Sequence, residues 1–348
     1  MFNRCCFMLV IVLVLNCTGN ADDKKLSVLS DKEIADGWIA LFDGESTFGW
    51  TVEGEAKVQA GKLILGGTKA TTLTQTSTFG PFAYNMEFEA TLPNKDMPTL
   101  LFLDVNDKEP GYKIDSKFSR SRFANSPGTI TKRNQLRLVV PEGNVLTIKL
   151  LNLLPRGSKP LFNGKDLSGW KVNNADPKRV LSKFDVTPTG ELRVINGPGD
   201  LQTEEQFGDF CLQYECKTNG KNLNSGIFFR CMPDQYQNGY EAQIQNAYKD
   251  NDRTKPVDFG TGAIYRRVPA RKVVSNDEEW FTMTVLANGP RVATWVNGYQ
   301  VVDWLDDRKE DENPRKGLRT AAGHLSIQGH DPTTNIVFRN MRIVDLKK

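Results

Sequence analysis

Apolar and polar residues alternate along most of the chain. Phe210, Leu212 and Tyr214 interleave with Cys211, Gln213 and Glu215, and Tyr240, Ala242 and Ile244 interleave with Glu241, Gln243 and Gln245. A period of two places successive side chains on opposite faces of a strand. Runs of this kind, punctuated by Gly, Asn, Asp and Pro, recur throughout, and sustained 3.6-residue periodicity is almost absent. The pattern predicts an all-β chain. Its one helical turn is expected at Ser30-Asp31-Lys32-Glu33, with Ser30 and Glu33 as a capping box and Gly37 as the stop.

The pattern is also repeated. Leu41-Phe42-Asp43-Gly44 with Gly49-Trp50 returns as Leu161-Phe162-Asn163-Gly164 with Gly169-Trp170. Further along, Ala60 to Leu63 resembles Thr189 to Leu192, and Tyr84 to Phe88 resembles Phe210 to Tyr214. Leu136 to Asn152 parallels Phe281 to Asn297, each as two alternating runs about a turn, at Pro141-Glu142-Gly143-Asn144 or Ala287-Asn288-Gly289-Pro290. On this register the first copy lacks a counterpart of Gly323 to Leu346. The expectation is two tandem β-sandwich or jelly-roll modules, an abbreviated one over 30–155 and a full one over 156–348.

Composition narrows the function classes. With 39% hydrophobic and 25% charged residues, the 348-residue chain can bury two cores. A net charge of +3 without long single-sign blocks argues against nucleic acid or anionic lipid as partner. Residues 1–21, with Arg4 before the apolar run Phe7 to Leu15 and small residues up to Ala21, read as a signal peptide. That run is too short to span a bilayer, so a secreted or periplasmic location is expected. Lipoprotein anchoring through Cys17 is the less favoured alternative, because Asn16 is an unusual residue before a lipid-modified cysteine. Cys211, Cys216 and Cys231 remain in the exported part; Cys211 and Cys231 could face each other about a turn near Lys221, but packing thiols are preferred. With two histidines, His324 and His330, a His-rich metal site is ruled out. No cofactor is expected, and Ca²⁺ binding is left open.

The candidate chemistry lies in the second copy. Glu215 falls on the polar face of its strand, Arg230 ends the run Ser225 to Phe229, and Glu241, Gln243 and Gln245 share one face. A glutamate with a glutamine two residues on is more often a solvated strand face than a site. His330 follows Leu325 to Gly329 at a strand end, where imidazole could transfer protons near neutral pH.

These segments carry a resemblance. Leu-Phe-Asn-Gly-Lys-Asp-Leu-Ser-Gly-Trp at 161–170, Asn-Ser-Gly-Ile-Phe-Phe-Arg at 224–230, Gly-Tyr-Glu-Ala-Gln-Ile at 239–244, Gly260 to Tyr265 and Phe338 to Ile343 are similar to the 3-keto-disaccharide hydrolase domain family. The resemblance implies a concanavalin A-like jelly roll, export, a carbohydrate ligand, and cleavage of glycosides oxidised at carbon 3 by C2 proton abstraction, elimination and hydration. It implies Glu241 or His330 as base or leaving-group acid, Arg230 as the enolate clamp, and Glu215, Gln243, Asn246, Tyr265 and Gln328 as substrate contacts. The chain departs from the family pattern twice: Asn246 stands where an acidic residue is common, and Gly329 where Asp often precedes His. A non-catalytic carbohydrate-binding protein of the same fold is the competing expectation. A conventional glycosidase, which needs two carboxylates flanking the bond, fits poorly because Gln243 and Gln245 replace the acidic positions of such a strand.

Overall fold

The computed structural model describes residues 28–93, 96–104, 112–113, 120–123 and 134–346; the expected leader, with Cys5, Cys6 and Cys17, lies outside them. Helix α1 (Asp31–Asp36) carries the predicted capping box, and Gly37 ends it in the left-handed conformation at φ 90°.

Among the described residues everything else of regular form is strand, apart from one short 3-10 turn. Among the described residues the first module comprises β1 (Ile39–Ala40), β2 (Trp50–Glu53), β3 (Ala56–Gln59), β4 (Lys62–Gly66), β5 (Thr71–Gln75), β6 (Phe82–Thr91), β7 (Thr99–Asp104), β8 (Tyr112–Lys113), β9 (Arg120–Phe123), β10 (Asn134–Val140) and β11 (Val145–Pro155). One sheet runs β3-β4-β11-β6-β9 with β1 on β11, the other β2-β5-β10-β7-β8. The second module comprises β12 (Lys159–Pro160), β13 (Trp170–Val172), β14 (Lys183–Val186), β15 (Leu192–Ile195), β16 (Gly199–Phe207), β17 (Phe210–Thr218), β18 (Ser225–Cys231), β19 (Tyr240–Ile244), β20 (Phe281–Asn288), β21 (Arg291–Val296), β22 (Tyr299–Leu305), β23 (Gly323–Gly329) and β24 (Asn335–Asp345). Its sheets run β14-β15-β24-β17-β20-β21-β22, with β12 on β24, and β13-β16-β23-β18-β19. All strand pairs in both modules are antiparallel.

Strand for strand, β1 to β11 repeat β12 to β20 followed by β23 and β24. The first module is abbreviated, but not at its end: β10 and β11 correspond to the closing β23 and β24, and the absent counterparts among the described residues are those of β21 and β22. The expected match of 136–152 with 281–297 therefore fails. Residues 281–296 form a true hairpin closed at Asn288 and Arg291. By contrast β10 pairs with β5 and β7 while β11 pairs with β4 and β6, so the turn 141–144 carries the chain from one sheet to the other. Its counterpart in the second module is the loop between β23 and β24, which holds His330.

The repeated opening loop has one hydrogen-bonding plan in both modules. The Trp50 indole Nε1 donates to the Leu41 carbonyl at 2.5 Å, and Trp170 does the same to Leu161 at 3.0 Å. Asp43 accepts from the backbone N–H of Glu45 and Ser46, and Asn163 from those of Lys165 and Asp166.

Each module has an apolar core, and that of the first takes in residues of the second. Much of the outer face of the large second-module sheet is covered: Cys211, Leu286, Ala293, Trp295 and Val344 point into the core of the first module. Polar contacts complete the junction, with Gln213 Nε2 donating to Gly37 O and Arg271 paired to Asp43 at 2.6 Å. Cys211, Cys216 and Cys231 are free buried thiols. Cys211 on β17 and Cys231 on β18 belong to different sheets, because the segment near Lys221 crosses between sheets and is no hairpin.

Candidate functional site

The smaller second-module sheet turns Leu201, Ile227, Phe229, Tyr240, Ala242, Ile244, Leu325 and Ile327 into the core. Alternation then sends Asp200, Gln202, Phe228, Glu241, Gln243, Ser326 and Gln328 to the other face. The ladder sets their rows: Gln202 lies opposite Ser326, Ser326 opposite Phe228, and Phe228 opposite Glu241. Over this face opens a pocket of about 400 Å³ lined by Glu241, Gln328, His330 and Tyr265 together with Phe228, Gln237, Tyr240, Pro314 and the guanidinium-bearing Arg266, Arg267 and Arg315.

Glu241 is almost wholly buried, at 7% exposure. It lies over Gly226, where an added Cβ would come within 2.6 Å of its Oε1, so the glycine makes room for the carboxyl group. Its carboxyl group makes no hydrogen bond with the described residues. Burial is the main cause that pushes its pKa up to about 8; Arg315 opposes the shift, Asp258 adds to it and Arg266 opposes it. Near neutral pH Glu241 is therefore mostly a carboxylic acid.

His330 stands at the pocket edge, and its Nδ1 lies 2.7 Å from Asp331 Oδ2. With that proton donated to Asp331, Nε2 is left with its lone pair. The carboxylate that the sequence lacks before the histidine thus stands after it. Thr333 holds Asp331 in turn through its backbone N–H and hydroxyl.

The sheet face beneath and beside the pocket is polar and under-satisfied. Asp200 takes hydrogen bonds on Oδ2 from Ser326 and Gln202, and burial raises its pKa against these bonds. Asp200 Oδ1, Gln237 Nε2, Gln243 Oε1 and Gln328 Oε1 are buried without a partner. Groups like these normally find a partner; Gln237 and Gln328 line the pocket, where sugar hydroxyls, which donate and accept, would meet both the free donor and the free acceptor. Among the described residues no group of three or more His, Cys, Asp or Glu side chains is arranged to hold a metal ion.

Four of the eight residues expected from sequence line the pocket: Glu241, His330, Tyr265 and Gln328. Arg230 does not. A bulge between Phe228 and Cys231, with Arg230 at φ 53°, breaks the alternation. Its fully buried guanidinium instead binds Gly208 O, Arg319 O and Asp209. Glu215 is also displaced: it lies in the large sheet, on the face toward the first module, held by Arg339 and Asn340. Asn246 is buried among Thr261, Ser275 and Asp277. Gln243 shares the face of Glu241 but is tied to Asp258 beside the pocket.

Sequence reasoning missed Phe228, Gln237 and the three arginines. Arg266 and Arg267 come from the long β19–β20 connection, and Arg315 from the β22–β23 connection. The second connection is braced where Tyr240 Oη and Arg308 converge on Asp306 and Tyr240 Oη accepts from Arg319 N–H. It follows β21 and β22, which have no counterpart among the described residues of the first module, so the usable signal was the point where the two modules stop corresponding.

Residues 157–344, more than half of the chain, match the family model described as 3-keto-alpha-glucoside-1,2-lyase-like domain. The chain belongs to this family. Its function is therefore carbohydrate-related. Similar solved structures include two candidate glycosyl hydrolases from Parabacteroides distasonis. One is 23% identical (TM-score 0.43, 55% of this chain and 94% of that chain covered), the other 27% identical (TM-score 0.41, 56% and 85% covered). A carbohydrate-binding module from Bacillus subtilis is 16% identical (TM-score 0.33, 50% and 93% covered). No curated protein matches the sequence.

Proposed function

We propose that the protein is an exported enzyme that opens the glycosidic bond of 3-keto glycosides by elimination, followed by hydration. The observation that carries this reading is that a carboxylic acid, Glu241, and a carboxylate-oriented imidazole, His330, line one pocket. The ketone at carbon 3 acidifies the C2 hydrogen. His330 Nε2 takes that proton, and the C–H electrons pass to an enolate on the ketone oxygen. Arg315 supplies the positive charge that stabilises it, the role sequence gave to Arg230. Collapse of the enolate breaks the bond between C1 and the glycosidic oxygen, which takes its proton from Glu241, leaving a C1=C2 enone. Water then adds oxygen to C1 and hydrogen to C2, completing hydrolysis. One acid and one base serve here, so the second carboxylate of a conventional glycosidase is unnecessary.

The test is release of aglycone from a 3-keto glycoside and from its unoxidised parent. The expected result is turnover of the oxidised substrate alone, reduced about 100-fold or more in Glu241→Gln and in His330→Ala. Parental rates in both variants remove the mechanism. Binding of sugar without turnover by the parent protein supports instead a carbohydrate-binding role for the same pocket.

A further inference from the structure

The reaction above develops one negative charge, yet three guanidinium groups line the pocket. Arg315 donates to Gln237 O and Arg267 donates to Arg266 O and Arg315 O, so these two are fixed against backbone carbonyls. Arg266 is exposed and stacks on the Tyr265 ring at 5.3 Å. None of the three pairs with a carboxylate; Arg253, Arg319 and Arg342 share that trait in this module but bond carbonyl and amide oxygens away from the pocket lining. Glu241, the acid that lines the pocket with them, is mostly protonated near neutral pH, and Asp306, which acts on Arg267 from a distance, is paired to Arg308 instead.

The position of Arg266 adds a second argument. It sits in a tight turn closed by mutual backbone bonds between Ile264 and Val268, at φ 57°. Glycine or asparagine would occupy that left-handed conformation at lower cost. The turn places a long cation over the pocket where its backbone would favour a residue without one.

We infer that the pocket takes a sugar carrying an oxyanionic substituent, a carboxylate or sulfate, which Arg266 and Arg267 hold while Arg315 remains for the enolate. Guanidinium forks match both groups and hold them by charge-assisted hydrogen bonds. This names the substrate class of the pocket already described; it rests on the sugar part of that reading and not on the elimination chemistry.

The experiment is calorimetric binding of unoxidised matched sugars to the full chain: glucose, glucuronate and glucose 6-sulfate. The expected result is that at least one anionic sugar binds about ten-fold or more tighter than glucose. The preference should shrink between about 50 and about 500 mM salt. Arg266→Gly, which relaxes the turn and so preserves the fold, should abolish most of the preference, and Arg266→Glu should reverse it. A larger gain for glucuronate assigns the site to carboxylates, and one for the sulfate ester to sulfated sugars. Equal affinities, no detectable binding of any member, or a preference that survives both variants overturns the inference. Because no bond is broken, the inference can fail while Glu241→Gln still abolishes turnover of neutral 3-keto glycosides, and the converse.

Discussion

Glu241 shows how a single side chain can be readable in sequence while its chemistry is not. Alternation along Tyr240–Ile244 puts it on the face away from the core, but the same alternation suits an ordinary solvated strand. What makes it an acid is the cover provided by segments far along the chain. That cover has a stability consequence. A carboxyl whose folded pKa is raised to about 8 from an unfolded value of 4.5 opposes folding increasingly as pH rises between the two. Glu241→Gln is therefore expected to stabilise the protein by roughly 2–4 kcal/mol at pH 8 and to have little effect at pH 4. Denaturant titrations of both proteins at the two pH values check this; equal stabilities at pH 8 would show that the carboxyl is hydrated. On the proposed mechanism, turnover by the parent protein is expected to decline above about pH 8 as the acid ionises. Arg230 and Glu215 mark where residue-level reading stopped. A bulge turned the first out of register, and a neighbouring module covered the face that carries the second.

At the scale of elements, the capping box, the strand-rich pattern and the repeated Leu-to-Trp loop were legible because each depends on residues close in sequence. Pairing was not. The segments 134–155 and 281–296 look alike as two alternating runs about a turn, and nothing local distinguishes a hairpin from a crossover between sheets. The repeated loop gives its own prediction. Trp170 is buried and donates to Leu161 O, so Trp170→Phe should cost about 1–2 kcal/mol through the lost hydrogen bond and lost volume. Trp50→Phe should cost a similar amount if the two loops are energetic as well as geometric equivalents. Chemical denaturation of each variant measures this, and no loss in either would mean that the indole N–H contributes nothing to closing the loop.

At the scale of the molecule, the recurring Leu-to-Trp loop was visible in sequence but the partnership between the modules was not, since it depends on which strand faces meet. Asp43 belongs to the repeated loop of the first module and receives Arg271 from the second. Although burial raises its pKa most, the hydrogen bonds from Ser46, Glu45 N–H and Arg271 together bring it below 3.8. A depressed carboxylate contributes stability above its unfolded pKa and loses it as pH falls through the folded value. Asp43→Asn is thus expected to cost about 1–3 kcal/mol at pH 7, a deficit that narrows below about pH 4. Thermal melts across that range check it, and a deficit that stays constant in acid would assign the loss to the loop alone.

The large second-module sheet, with one core on each side of it, also sets how the molecule breathes. Backbone amides in β17 and β24 can meet solvent deuterons only when both flanking layers part, so their exchange should track global unfolding. Amides of β19 and β23, roofed on one side only by connecting segments, should exchange through smaller openings that a bound sugar would slow. A mass-resolved exchange map would then separate a rigid spine from a floor that yields to its ligand.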